Sequence, residues 1–226
     1  MEIFIDSANT SEIEKWMKMG IADGVTTNPS IMYKDGVYDM EKGAKKIAAL
    51  INPRPLSVEV TTNDLDEMLA QAKKFAAWAP NIVIKIPQIN QDGVPCYGVI
   101  SELEKNGIKV NATVALSFGQ VVLAAKAGAT YISIFIGRVA DEGGDAPELI
   151  ARAADWLERW NYKSKIIVGS IRAVIDIQEA AVAGAHVITI PPDFLTRMAD
   201  HKYTRETVRQ FVNDAQRSLQ AMKKGG

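Results

Sequence analysis

Eight short apolar, β-branched runs alternate with helix-length segments from one end of the chain to the other, and this alternation restricts the fold more than any other feature. The strand candidates are Ile3–Asp6, Gly24–Thr27, Leu56–Val60, Ile82–Ile86, Lys109–Thr113, Tyr131–Phe135, Lys165–Gly169 and Val187–Ile190. Runs that are apolar on both faces belong to parallel sheets covered on both sides. The segments between them read as helices. Ser11–Lys18 opens with Ser11 and Glu14 at capping-box spacing, Asp39–Ile51 follows, and Asn63–Ala77 starts at a capping asparagine. Gly98–Lys105 ends at Asn106-Gly107, and further helices fit Ser117–Ala127, Ala146–Trp160, Ala173–Ala183 and Asp193–Ala199. A last segment, Thr204–Met222, reads as an extra helix opened by Thr204 and Thr207.

Three phrases, Glu104–Gly107, Ala125–Ala129 and Ala181–Ala185, close a helix with glycine and lead within a few residues into a strand. That is the helix-to-strand junction of a barrel. No Ser/Gly/Pro-rich linker divides the chain. The expectation is an α/β fold, a single-domain (β/α)8 TIM barrel over residues 1–226 that includes a C-terminal helix at about 204–222. A doubly wound open sheet is the runner-up. It would usually carry a G-x-G-x-x-G phosphate loop after the first strand, where this chain has Ile5-Asp6-Ser7-Ala8-Asn9.

At 226 residues, 47% hydrophobic and with net charge −1, the chain can bury one large core and shows no basic surplus for nucleic acid or a membrane surface. No uncharged apolar stretch reaches the ~18 residues of a bilayer span. The first strand candidate begins almost at Met1, which leaves no room for a signal peptide. Cys96 is the only cysteine, so no intrachain disulfide forms and a cytoplasmic location is expected. His186 and His201 are the only histidines and do not make an i, i+4 pair, so neither a zinc site nor any other metal is expected.

Lys85 stands in Asn81–Pro87, a run otherwise apolar and β-branched. A lysine there buries its stem and must pair its charge or lose it. Desolvation lowers an ammonium pKa, and a neutral amine is a nucleophile toward carbonyls. Pro87 stops the strand two residues on, which places Lys85 near the C-terminal end, the catalytic face of such barrels. The bland alternative is an edge-strand lysine that snorkels to solvent.

Other strand ends are polar too. They carry Asp6, Thr26 with Asn28, Glu59, Asn111 with Thr113, Ser133 with Arg138, and Ser170 with Arg172, whereas strand 8 ends in apolar Ile190-Pro191-Pro192. Taken singly, these residues read as helix caps, turns and solvated charges. Taken together they make chemical sense around Lys85. Asp6 and Glu59 are candidate proton carriers, and Thr113 is a candidate holder of a relay water. Thr26, Asn28 and Ser133 offer neutral hydrogen bonds suited to sugar hydroxyls. Arg138 and Arg172 are candidates for a phosphate fork.

The chain resembles the transaldolase family, specifically its small subfamily, which includes fructose-6-phosphate aldolases. The resemblance runs through Phe4-Ile5-Asp6, Asp23–Ser30, Val58-Glu59-Val60, Ile84–Pro87, Asn111-Ala112-Thr113, Phe135–Arg138 and Ser170-Ile171-Arg172. It implies a metal-independent, cofactor-free class I mechanism with Lys85 as Schiff-base former, Asp6 as first-strand acid and Glu59 with Thr113 as proton relay. It further implies sugar contacts from Thr26, Asn28 and Ser133, a pocket lined by Phe135 and Ser170, and phosphate contacts from Arg138 and Arg172. The implied substrates are sugar phosphates. A dihydroxyacetone unit would pass from fructose 6-phosphate or sedoheptulose 7-phosphate to an aldose phosphate, in the pentose phosphate pathway.

Members that act mainly as aldolases resemble one another in a glutamine and a tyrosine where this chain has Glu59 and Phe135, so transfer is expected. Release of free dihydroxyacetone by a fructose-6-phosphate aldolase is the nearest alternative, and a non-catalytic sugar-phosphate-binding barrel is another. The chain departs from many relatives at Ile134, at Ala173-Val174 and in the segment from Thr204 onward. The resemblance also implies a homo-oligomer, a pentamer or decamer, with the C-terminal helix packed on a neighbour. Val208, Phe211, Val212, Ala215 and Leu219 have the spacing for it. The same stripe fits equally well against its own barrel.

Overall fold

The structure is a computed structural model that describes residues 1–224. Its internal contacts divide the chain into two compact units, Met1–Pro192 and the stretch from Asp193 onward. The first unit begins with β1 (Glu2–Asp6), α1 (Thr10–Lys18) and β2 (Gly24–Thr26), followed by two helices, α2 (Pro29–Lys34) and α3 (Met40–Ile51). Next come β3 (Leu56–Glu59), α4 (Leu65–Ala76), β4 (Ile82–Pro87), α5 (Tyr97–Lys105), β5 (Val110–Ala115) and α6 (Phe118–Lys126). The unit ends with β6 (Tyr131–Phe135), α7 (Ile136–Asp141), α8 (Ala146–Arg159), β7 (Lys165–Gly169), α9 (Val174–Val182) and β8 (Val187–Ile190). Beyond it lie α10 (Pro192–Ala199) and α11 (Lys202–Lys224). No helix among the described residues is long and apolar enough to cross a membrane.

The strands pair in parallel in chain order, and β1 also pairs with β8, so the sheet closes into an eight-stranded barrel. Closure rules out the open doubly wound alternative. At the base of the interior Phe4, Val83, Tyr131, Ile167 and Val187 form one buried cluster, with the Phe4 and Tyr131 rings edge-on at 6.0 Å. Gly24 makes room for it, since a Cβ there would lie 2.7 Å from the Phe4 ring. Elsewhere the interior is polar. Ser133 Oγ donates to Asn111 Oδ1 at 2.6 Å, and Asn111 Nδ2 donates to Ser57 Oγ at 3.3 Å. These bonds offset the cost of burying the groups.

The helices of the first unit cover its barrel with apolar faces at helical spacing, as with Ala44, Ile47, Ala48 and Ile51 of α3, all fully buried. Each such isoleucine contributes roughly 1.5–3 kcal/mol, so an aspartate at Ile47 would undo the face.

Several expected boundaries shift. Asn9, not Ser11, caps α1, accepting from Ser11 N at 3.0 Å and Glu12 N at 3.3 Å. Asp64, not Asn63, caps α4, while the Asn63 carboxamide is engaged with Gln91 N and Asp92. Helix α11 starts at Lys202, with Arg205 N bonded to His201 O, so Thr204 and Thr207 lie within it. Strand β5 runs on to Ala115 through a register shift against β6, with Val114 at φ 53°. The six-residue helices α2 and α7 were not anticipated, because one and a half turns carry no readable periodicity.

Candidate active site

Lys85 points into the barrel and is 3% exposed, so it does not snorkel. Register pairs Glu59 on β3 directly with Lys85 on β4. Their side chains meet, with Lys85 Nζ 3.2 Å from Glu59 Oε2, and the amine also donates to Thr27 O at 3.1 Å. The ion pair and the carbonyl satisfy two of the three ammonium donors in a site with almost no solvent, as burial of a charge requires.

Asp6, at the end of β1, stands opposite Thr26 in register, and Thr26 Oγ1 donates to Asp6 Oδ1 at 2.6 Å. The Thr26 and Thr189 hydroxyls lie 2.5 Å apart. With the Thr26 proton directed at Asp6, Thr189 is left as donor to Thr26, giving a chain from β8 through β2 to β1. Burial pushes the Asp6 carboxyl above its ordinary value, against the hydrogen bond from Thr26 and the charge of Lys85. The Asp35 and Glu59 carboxylates push it the same way as burial does.

Asn28 has two faces available to it. Its Oδ1 caps α2 by accepting from Ile31 N at 2.8 Å, with Pro29 at the first helical position, and the residue also lines the cavity at the barrel mouth. At the other end of α2, Asp35 Oδ2 accepts from Ser7 Oγ at 2.8 Å, Ala8 N at 2.7 Å and Asn9 N at 3.1 Å. One carboxylate oxygen therefore fastens the loop after β1 to the helix after β2.

Thr113 is fully buried on β5, and among the described residues its hydroxyl has no hydrogen-bond partner. The β-bulge beside it, with Val114 in the left-handed region, sets its direction, a conformation a β-branched residue rarely adopts. Ser170, at φ 61°, is held similarly beyond β7. The loop there is fixed by Asp176 Oδ2, which accepts from Arg172 N and Ala173 N.

A cavity of about 300 Å³ opens at this end of the barrel. Among the expected residues, Asp6, Thr26, Asn28, Lys85, Ser133, Phe135, Arg138 and Ser170 line it, whereas Glu59, Thr113 and Arg172 do not. Arg172 instead forms a two-pronged pair with Asp141, its NH2 2.5 Å from Oδ2, and holds that carboxyl below its ordinary range. Gly137 is required there, because a Cβ would lie 2.7 Å from Arg172 Nε and 2.6 Å from Ser170 O. Arg138 is 3.9 Å from the same Asp141. Sequence reading missed Thr189, Ser30 and Lys34, which also line the cavity. Thr189 had no signal inside a β-branched run, and Ser30 and Lys34 stand on α2, too short a helix for its periodicity to be read.

A buried lysine beside a carboxylate, at the mouth of a parallel barrel with cations on the rim, defines a (β/α)8 site suited to carbonyl chemistry on an anionic substrate. The family described as Transaldolase/Fructose-6-phosphate aldolase matches residues 3–226. The chain belongs to that family. It is 40% identical over 214 residues to a probable transaldolase of Lactiplantibacillus plantarum, covering 95% of this chain and 96% of that one. It is 41% identical over 224 residues to a probable transaldolase of Carboxydothermus hydrogenoformans, covering 99% and 100%. A probable transaldolase of Dehalococcoides mccartyi is 38% identical over 214 residues, covering 95% and 97%.

Proposed function

We propose that the protein is a transaldolase that transfers a dihydroxyacetone unit from a ketose phosphate to an aldose phosphate through a Schiff base on Lys85. The observation that carries this is the enclosed lysine, 3% exposed, 3.2 Å from Glu59 Oε2. Lys85 Nζ attacks the C2 carbonyl of fructose 6-phosphate, and loss of water leaves an iminium. Asp6 takes the proton of the C4 hydroxyl, the C3–C4 bond breaks into the iminium, and glyceraldehyde 3-phosphate leaves. The enamine left on Lys85 attacks the aldehyde carbon of erythrose 4-phosphate, Asp6 returns the proton, and hydrolysis frees sedoheptulose 7-phosphate.

Glu59 and the open hydroxyl of Thr113 hold the water that enters and leaves in the imine steps. Thr26, Asn28 and Ser133 bind the hydroxyls of the retained three carbons, beside Phe135. Ser170 and Arg138 receive the phosphate, and Arg172 joins them by exchanging Asp141 for the substrate's anion. The neutral balance of charge and the lone buried Cys96 favour a cytoplasmic protein with small-molecule substrates. The exposed apolar residues of α11 favour a homo-oligomer, pentameric or decameric by resemblance to the small subfamily.

The test is product analysis with fructose 6-phosphate and erythrose 4-phosphate. Transfer gives sedoheptulose 7-phosphate and glyceraldehyde 3-phosphate in equal amounts. Rapid release of free dihydroxyacetone without an acceptor would make the protein a fructose-6-phosphate aldolase instead, and no turnover of either kind would leave a binding barrel.

A further inference from the structure

We infer that Lys34 is a further cation for the substrate's terminal phosphate, set across the barrel mouth from Arg138 and free to act before Arg172 releases Asp141. The inference rests on the proposed sugar-phosphate chemistry. In a closed ring of eight strands, β2 and β6 are four strands apart, so the helices that follow them, α2 and α7, start on opposite sides of the mouth. Lys34 comes from α2 and Arg138 from α7, and both line the same 300 Å³ cavity. A dianion seated there meets positive charge from two directions.

The other cations near the site are paired in this structure. Arg172 lies outside the cavity wall and is held in a two-pronged pair by Asp141. Lys85, deeper in the barrel, is paired with Glu59 and Thr27 O. The Lys34 side chain makes no ion pair or hydrogen bond among the described residues, and the residue is exposed. The carboxylate next to it in sequence, Asp35, is occupied by Ser7, Ala8 and Asn9. That same contact, with the Asn28 cap, fixes both ends of α2, so the lysine projects from a rigid base. An unpaired, long-stemmed cation on a fixed helix at the rim is suited to meeting a phosphate as it enters.

The experiment compares wild type with Lys34→Ala and Lys34→Arg. It measures kcat/KM for fructose 6-phosphate and for unphosphorylated fructose, and inorganic phosphate as a competitive inhibitor. The expected result for Lys34→Ala is a fall of about ten-fold or more in the preference for the phosphorylated ketose, carried by KM, with a matching rise in the phosphate inhibition constant. Lys34→Arg should restore most of both. A preference and inhibition constant within two-fold of wild type in Lys34→Ala would overturn the inference. If wild type itself neither turns over nor traps ketose on Lys85, the proposed activity has failed, and calorimetric binding of inorganic phosphate to wild type and Lys34→Ala still decides the role of Lys34.

Discussion

Lys85 can attack a ketone only with a free lone pair, and Glu59 Oε2 at 3.2 Å is the carboxylate within reach of the proton it must give up. In the proposed reaction Asp6 has a different task, and its environment differs too. Burial raises its carboxyl, so between the ordinary value and the raised one the folded chain holds more protons than the unfolded chain. Stability attributable to Asp6 therefore falls as pH rises through that window and stays lower above it. Asp6→Asn removes this cost. The variant should melt higher than wild type at pH 7, by roughly 2–4 °C for each kcal/mol recovered, with the gain fading below about pH 4. It should also lose on the order of 10²-fold or more in kcat. Calorimetry across pH together with steady-state kinetics checks both. Thr189→Val deletes the donor behind Thr26 at nearly constant volume. We expect a loss of about ten-fold in kcat with little change in KM, largely restored in Thr189→Ser. Lys85 was legible in the sequence because a charge inside an apolar run has few structural reasons to exist. Thr189 was not, because a threonine among Val187, Ile188 and Ile190 reads as one more strand residue.

The elements position these groups through a few backbone devices. Asp35 joins the loop that carries Asp6 to the helix that carries Asn28 and Lys34. Asp35→Ala leaves the buried Ser7 hydroxyl and Ala8 amide without that acceptor, and should cost about 1–3 kcal/mol, or several degrees in thermal unfolding. Activity should fall with it, and Asp35→Glu should recover less than full function because the longer side chain displaces the loop. Strand positions were readable from the sequence almost throughout, since apolar β-branched runs have no other use in a chain of alternating elements. Helix starts were off by one or two residues where two capping side chains compete, as at Asn63 and Asp64. The bulge at Val114 had no sequence signal, since it puts a valine where glycine or asparagine would ordinarily stand.

At the scale of the molecule, closure of the sheet is what brings Thr189 of β8 within bonding distance of Thr26 of β2, and so completes the chain to Asp6. Order along the chain gave the barrel, but which arginine faces the cavity depends on the Asp141 pair, which is 31 residues from Arg172 and invisible to local patterns. The second unit presents Val208, Phe211, Val212, Leu219 and Met222 on α11, each at least half exposed. A stripe of that kind ordinarily marks a protein–protein contact. Phe211→Asp should lower the sedimenting mass if the proposed homo-oligomer uses it, and an unchanged mass would remove α11 from the interface.

The most direct measurement of the central claim is borohydride reduction during incubation with fructose 6-phosphate, followed by mass mapping of the digested protein. The account predicts a reduced three-carbon adduct on Lys85 and none in Lys85→Ala. An adduct on another lysine, or no adduct in a preparation that forms sedoheptulose 7-phosphate once erythrose 4-phosphate is added, would contradict it.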